Sequence, residues 1–200
     1  MRQWMKMIDK TKIEREAHDI YAKHYKRGVP AKVLHKIIAA EKIKLRHIDG
    51  GTDFLGALVK SPKGTLYINV NKNIDNIGRK NFTTAHELGH FVLQHHLQTA
   101  SFFCGEREIT EDGEAVSEQE KEANYFASCF LLPRDRVLNE FTNWYNWRFN
   151  QNSRIFLYVK TQGKSYSDWK AISGKLTDKF EVSTAALKIR LIELGLINNF

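Results

Sequence analysis

Cysteine is scarce in this chain: Cys104 and Cys129 are the two thiols in 200 residues. Two cysteines without paired spacing make neither a disulfide framework nor a zinc ribbon, so both are read as reduced and partly buried. Long apolar runs are also lacking, and no stretch approaches the roughly 20 residues that span a bilayer. The opening Met1-Arg2-Gln3-Trp4-Met5-Lys6 carries charge without an apolar core or a small-residue cleavage site. It does not read as a secretory signal, and a cytoplasmic location is expected. Acidic residues are outnumbered, 23 against 31 lysines and arginines, for a net charge of +8. Such a balance suits nucleic acid, an acidic partner or simply a soluble surface. Its distribution does not choose among them. Basic residues crowd the first 50 positions and those after Arg134, whereas residues 106 to 122 carry Glu106, Glu108, Glu111, Asp112, Glu114, Glu118, Glu120 and Glu122.

With 42% apolar content, 200 residues can bury a sizeable core as one domain. Helical periodicity runs from about Thr11 to Tyr25 and from about Pro30 to Glu41, with Val33, Leu34, Ile37 and Ile38 on one face of the second segment. Short runs of strand character follow at Ile43 to Ile48, Phe54 to Lys60 and Thr65 to Val70. Ser61-Pro62-Lys63-Gly64 joins the last two as a hairpin. A small three-stranded sheet is therefore expected, and its edge could pair with an extended peptide.

Chemistry concentrates next in Thr84-Ala85-His86-Glu87-Leu88-Gly89-His90. Positions four apart stack on one helix face, so His86 and His90 can aim imidazole nitrogens at one point, as a His-Glu-x-x-His metal site requires. Glu87 lies one residue further round, where it can reach a metal-bound water as a general base. Two plainer readings compete. The pattern arises by chance in roughly two per cent of chains of this composition, and Thr84-x-x-Glu87 also fits a capping box. The helix would begin at Asn81, Thr83 or Thr84 and run on through Phe91-Val92-Leu93.

Two histidines leave a catalytic zinc site one ligand short. After a loop from about Thr99 to Val116, residues 117 to 132 read as a second strong helix with Ala123, Phe126, Ala127, Phe130 and Leu131 as its buried stripe. It should stop near Pro133. Ser117 and Glu120 have capping-box spacing, which would engage Glu120 at the helix start and leave Glu122 as the freer carboxylate. Both acids flank the apolar stripe, so periodicity alone does not choose, and either could be a solvated first-turn acid.

Phe82-Thr83-Thr84-Ala85-His86-Glu87-Leu88-Gly89-His90, followed by Glu122-Ala123-Asn124-Tyr125-Phe126-Ala127 and Leu131-Leu132-Pro133, resembles the ImmA/IrrE family of metallo-endopeptidases. A block from Phe180 to Leu191 with Leu194-Gly195-Leu196-Ile197 resembles the family's C-terminal helical segment, while residues 140 to 175 carry no such resemblance. The resemblance implies Zn2+ held by His86, His90 and Glu122, with Glu87 as catalytic base. It also implies a cytosolic protease whose substrate is a helix-turn-helix repressor in a mobile-element or stress-response circuit, here a separate polypeptide. One departure stands out: the family often has a histidine four residues after the second ligand, where this chain has Gln94 followed by His95 and His96. Those two are read as surface or supporting residues rather than ligands.

The expected fold class is α+β, a mainly helical zincin-like domain with the small sheet beside the His-Glu-x-x-His helix. Residues 1–135 would form the metallopeptidase core and residues 136–200 a helical, aromatic-rich extension packed on it. Zinc would lower the pKa of its water, Glu87 would move the proton, and Tyr125, Tyr145, Tyr158 or Tyr166 could steady the oxyanion. Two other functional classes remain on the sequence. In a DNA-binding regulator, the helix from about Ser183 to Leu194 would present Lys188 and Arg190. In a non-catalytic protein-binding module, the metal would be structural and Trp144, Tyr145, Trp147, Phe149, Phe156, Tyr158, Tyr166 and Trp169 would form a docking surface or a core satellite.

Overall fold

The computed structural model describes residues 8–97, 101–105, 117–150 and 155–200, with backbone alone for 101–105. Helix α1 (Lys10–His24) starts on Asp9, whose carboxylate accepts from Lys12 N at 3.0 Å. It buries Ile13, Ala17, Ile20 and Tyr21 at helical spacing. Helix α2 (Pro30–Ala40) places proline in its first turn, where the missing N–H costs nothing, and buries Leu34, Ile37 and Ile38.

Strands β1 (Lys44–Ile48), β2 (Phe54–Lys60) and β3 (Leu66–Asn71) occupy the three expected runs. Ser61 closes the β2–β3 hairpin by donating its N–H to Thr65 O at 2.8 Å. A fourth strand, β4 (Ser101–Gly105), lies where a loop was expected, so the sheet has four strands among the described residues, in the order β1-β3-β2-β4. β4 pairs antiparallel with β2, and β1 pairs parallel with β3. Its sequence, Ser101-Phe102-Phe103-Cys104-Gly105, does not alternate apolar with polar residues, which is why the run looked like loop.

Helix α3 (Ile77–Val92) carries the histidine motif and begins earlier than expected. Asn76 is its cap, accepting from Arg79 N at 2.9 Å. Thr84 is interior to the helix and bonds back to Lys80 O at 2.8 Å, so it starts nothing and the capping-box reading of Thr84 and Glu87 falls. Helix α4 (Glu118–Leu131) matches its expected span, and Ala123, Phe126, Ala127, Phe130 and Leu131 are all buried. α3 packs against β2 and β3 on one side and α4 on another, which places the histidine motif between the sheet and the second helix.

Helices α5 (Arg134–Phe149), α6 (Lys164–Phe180) and α7 (Thr184–Glu193) complete the chain. Arg148 Nε donates to Asp168 Oδ1 at 2.7 Å between α5 and α6. Asn81 of α3 donates to Glu181 O at 2.9 Å at the α6–α7 turn, tying the motif helix to the C-terminal segment. Arg190 of α7 is fully buried; its Nε donates to Leu132 O at 3.1 Å and its guanidinium pairs with Glu14 of α1. No helix among the described residues is long and apolar enough to cross a membrane.

Candidate metal centre

The four-residue spacing does what helical geometry requires: His86 Nε2 and His90 Nε2 lie 3.0 Å apart on one face of α3. Both rings are fully buried, as is Glu87 between them in sequence. The α4 residue that meets them is Glu120. Its Oε2 is 3.0 Å from His86 Nε2 and its Oε1 is 3.2 Å from His90 Nε2. Ligand atoms of His86, His90 and Glu120 all lie within 4.8 Å of one another, so the three could hold a metal ion.

This grouping departs from the expected ligand set. Glu122 is not with the two histidines; its Oε2 lies 3.0 Å from His95 Nε2. Only half of the capping box behind the choice of Glu122 forms. Ser117 Oγ accepts from Glu120 N at 3.2 Å, while the Glu120 carboxylate turns away toward α3. A usable signal was present in the sequence. Glu120 and Asn124 are one helical turn apart, and both address His86, with Asn124 Oδ1 2.9 Å from His86 Nδ1.

His95 was set aside as supporting or superficial, and the structure buries it against the centre. Helix α3 ends at Val92, Gln94 adopts φ 62°, and the chain turns into a short 3-10 segment, His95–Leu97. That left-handed step brings His95 Nδ1 to 2.9 Å from His90 Nδ1. Its neighbour His96 stacks on Phe91 instead.

Charge states fit a cation. Burial lowers the His90 pKa to about 4 against the opposing pull of Glu120, so the ring is neutral at physiological pH. Burial pushes the Glu120 carboxyl up, but hydrogen bonds and charge from His86 and His90 outweigh it and hold the pKa at about 2. A neutral imidazole at His90 and an ionised carboxylate at Glu120 are protonation states that metal ligation demands.

Glu87 points toward the sheet. A Cβ placed on Gly56 of β2 would stand 3.0 Å from Glu87 Oε1 and 2.7 Å from Thr83 Cγ2, so a glycine lets the strand come this close. Gly89 acts likewise between helices, since a Cβ there would meet the Phe126 ring at 2.9 Å.

Other expected site features fall elsewhere. Tyr125 lies beneath Lys10, on the side of α4 facing α1. Tyr145 packs with Phe141 and Phe149, Tyr166 meets Lys170, and Tyr158 is exposed. None is marked as an oxyanion donor. Trp144, Tyr145 and Trp169 are core, whereas Trp147 is 79% exposed, so the aromatic-rich segment is mostly a core satellite. Arg190, one of the two cations proposed for a DNA-reading helix, is buried and paired, which removes it from any phosphate contact. Cys129 is a buried free thiol whose pKa burial raises to about 12. The side chain of Cys104 and the acidic residues Glu106, Glu108, Glu111, Asp112 and Glu114 lie outside the described residues.

No curated protein matches the chain. The family model Peptidase_M78, described as the IrrE N-terminal-like domain, matches residues 29–192. With the motif helix, the facing glutamate helix and most of the C-terminal segment inside that match, the chain belongs to the IrrE N-terminal-like family of peptidases.

Proposed function

We propose that the protein is a zinc-dependent endopeptidase in which His86, His90 and Glu120 hold the ion and Glu87 is the general base. The observation that carries this reading is the convergence of the three ligand atoms within 4.8 Å on two packed helices. Two neutral imidazoles and one carboxylate form the three-protein-ligand set of a hydrolytic zinc site, with a coordination position left for water. A bound zinc would supply Lewis acidity toward the scissile carbonyl and a water of lowered pKa.

Glu87 supplies what the ion does not. Next in sequence to His86 and held against β2, its carboxylate takes the proton from the attacking water and returns it to the leaving amine. The burial of this carboxylate strengthens its interaction with the reacting atoms by excluding bulk solvent. Substrate would enter extended. β4 is the outer strand of the sheet among the described residues, and its outer edge can add a peptide strand through backbone hydrogen bonds next to the strand that faces Glu87.

The substrate we favour is a separate helix-turn-helix repressor in a mobile-element or stress-response circuit, in the cytoplasm, a reading supported by the resemblance of the two motif blocks to ImmA/IrrE proteases. The test incubates zinc-loaded wild type and Glu87→Gln with a candidate repressor. Wild type should cleave it, while the variant binds one zinc per chain and loses cleavage by 10²-fold or more, roughly the contribution of a general base. Cleavage by Glu87→Gln at the wild-type rate would rule out its assigned role.

A further inference from the structure

A hydrogen-bonded line, buried at its two histidines, runs from His90 to His95 to Glu122, and the functional reading above leaves it unused. His90 Nδ1 and His95 Nδ1 are 2.9 Å apart, and His95 Nε2 is 3.0 Å from Glu122 Oε2. His95 is 3% exposed. A neutral imidazole has one donor nitrogen and one acceptor nitrogen, and an ionised carboxylate only accepts. These rules fix every proton along the line. For His90 to offer the Nε2 lone pair to a metal, its proton must sit on Nδ1 and find an acceptor. The Nδ1 of His95 serves only if its own proton is on Nε2, and that proton points at Glu122.

We infer that His95 and Glu122 are positioning residues that hold His90 in its Nδ1–H tautomer and fix its ring plane, so that Glu122 acts on the metal through two imidazoles instead of ligating it. The inference rests on the proposed His86, His90 and Glu120 site. Asn124 does the same for His86 in one step, because its Oδ1 accepts from His86 Nδ1 at 2.9 Å. Each ligand histidine thus has an orienting acceptor, and the two acceptor systems both end on α4, at Asn124 and at Glu122. Such partners keep the ring basic and aligned, and their loss commonly weakens metal binding about 10- to 100-fold without changing the ligand count. The left-handed Gln94 gains a purpose here: it folds the chain back so that His95 reaches a ring one turn behind it.

The experiment measures zinc affinity by competition with a chelating dye, together with the visible spectrum of the Co2+-substituted protein. It compares wild type, Glu122→Gln, His95→Phe, the double variant and Glu120→Gln. Glu122 is partly exposed, with 25% of its side-chain surface accessible, and glutamine is isosteric, so this variant should fold even if His95→Phe does not. Glu122→Gln and His95→Phe should each bind one ion about 10- to 100-fold more weakly, with the wild-type Co2+ band positions retained. The double variant should bind no more weakly than His95→Phe alone, because Glu122 acts only through His95. Glu120→Gln should shift the Co2+ bands.

Three results would overturn the inference. If wild type binds one zinc and both single variants stay within about twofold of it, the line does no work while the metal site stands. If Glu122→Gln shifts the Co2+ bands and Glu120→Gln does not, Glu122 is itself the ligand. If wild type binds no ion, the site and the inference fall together.

Discussion

Gly56 sets how closely β2 approaches the carboxylate assigned as the base. A methyl group there would press Thr83 Cγ2 at 2.7 Å and Glu87 Oε1 at 3.0 Å, and Thr83 and Glu87 are both fully buried. Neither side chain has solvent to move into, so the strand or the helix must shift. Gly56→Ala should cost about 1–3 kcal/mol of stability, the usual range for overpacking. It should also lower kcat for peptide cleavage with zinc content unchanged, because the histidines and Glu120 lie on the other contacts of α3. Denaturant unfolding and metal analysis on the same preparation check both halves. Unaltered stability would show that the sheet yields locally and that the glycine is incidental. His95 shows a different single-residue effect, in which one left-handed φ at Gln94 converts a residue beyond the helix end into a buried partner of His90.

Between elements, the centre depends on how α3 lies on α4. The two histidines and Glu87 were legible in the sequence because a single helix fixes their relation, and four-residue spacing needs no knowledge of tertiary structure. The third member of the proposed ligand set was not. Glu120 and Glu122 both border the stripe formed by Ala123, Phe126 and Ala127, and the choice between them is made by the rotation of α4 about its axis where it meets α3. That rotation is set by close contacts such as Gly89 against Phe126. α1, α2, β1 to β3 and α4 were legible from periodicity and turn residues within each segment. β4 lacks period-two alternation. Residues 136–200 were expected to be helical as a whole, but the bounds of α5 were not read because its aromatic residues carry little helical preference, although Val137, Phe141, Trp144 and Tyr145 do fall on one helical face. Gly89→Ala should drive the helices apart where the ligands meet. The expected results are a loss of about 1–3 kcal/mol in stability and weaker zinc binding, since Glu120 withdraws from His86 and His90. Competition titration with a chelating dye reads the second effect. Affinity equal to wild type would mean that α4 slides without carrying Glu120 away.

Across the whole molecule, α1 and α7, 176 residues apart in their closest ion pair, are joined through a buried guanidinium. Arg190 has no exposed surface, donates to Leu132 O at the end of α4, and meets Glu14 from the opposite end of the chain. This contact decides the reading of α7 as a packing helix. A cation withdrawn from solvent and charge-paired cannot neutralise a phosphate, and its removal would strand its partner. Burial alone would raise the Glu14 pKa, but hydrogen bonding and charge from Arg190, with further help from Arg134, outweigh it and hold the carboxyl below its ordinary value of 4.5. A carboxylate whose pKa is lowered by folding contributes stability above its unfolded pKa, and that contribution disappears as pH falls through the folded value. Glu14→Gln should therefore destabilise the protein by about 2 kcal/mol at neutral pH, less than a fully buried pair because Glu14 keeps 26% of its side-chain surface accessible. The gap between the two proteins should then narrow as pH falls from about 4.5, where Glu14 of the unfolded chain takes up a proton, through the lower pKa of the folded state. Taking the difference removes the parallel contribution of Glu41, whose carboxyl, raised by burial, is lowered more strongly by hydrogen bonds from Lys23 and His24. Urea unfolding at a series of pH values from 7 to about 3 measures that gap directly. Stability curves that stay parallel over the range would mean that Arg190 is satisfied by Leu132 and Glu193 without Glu14, and that α1 and α7 are held together by apolar packing and the Lys10–Glu193 pair.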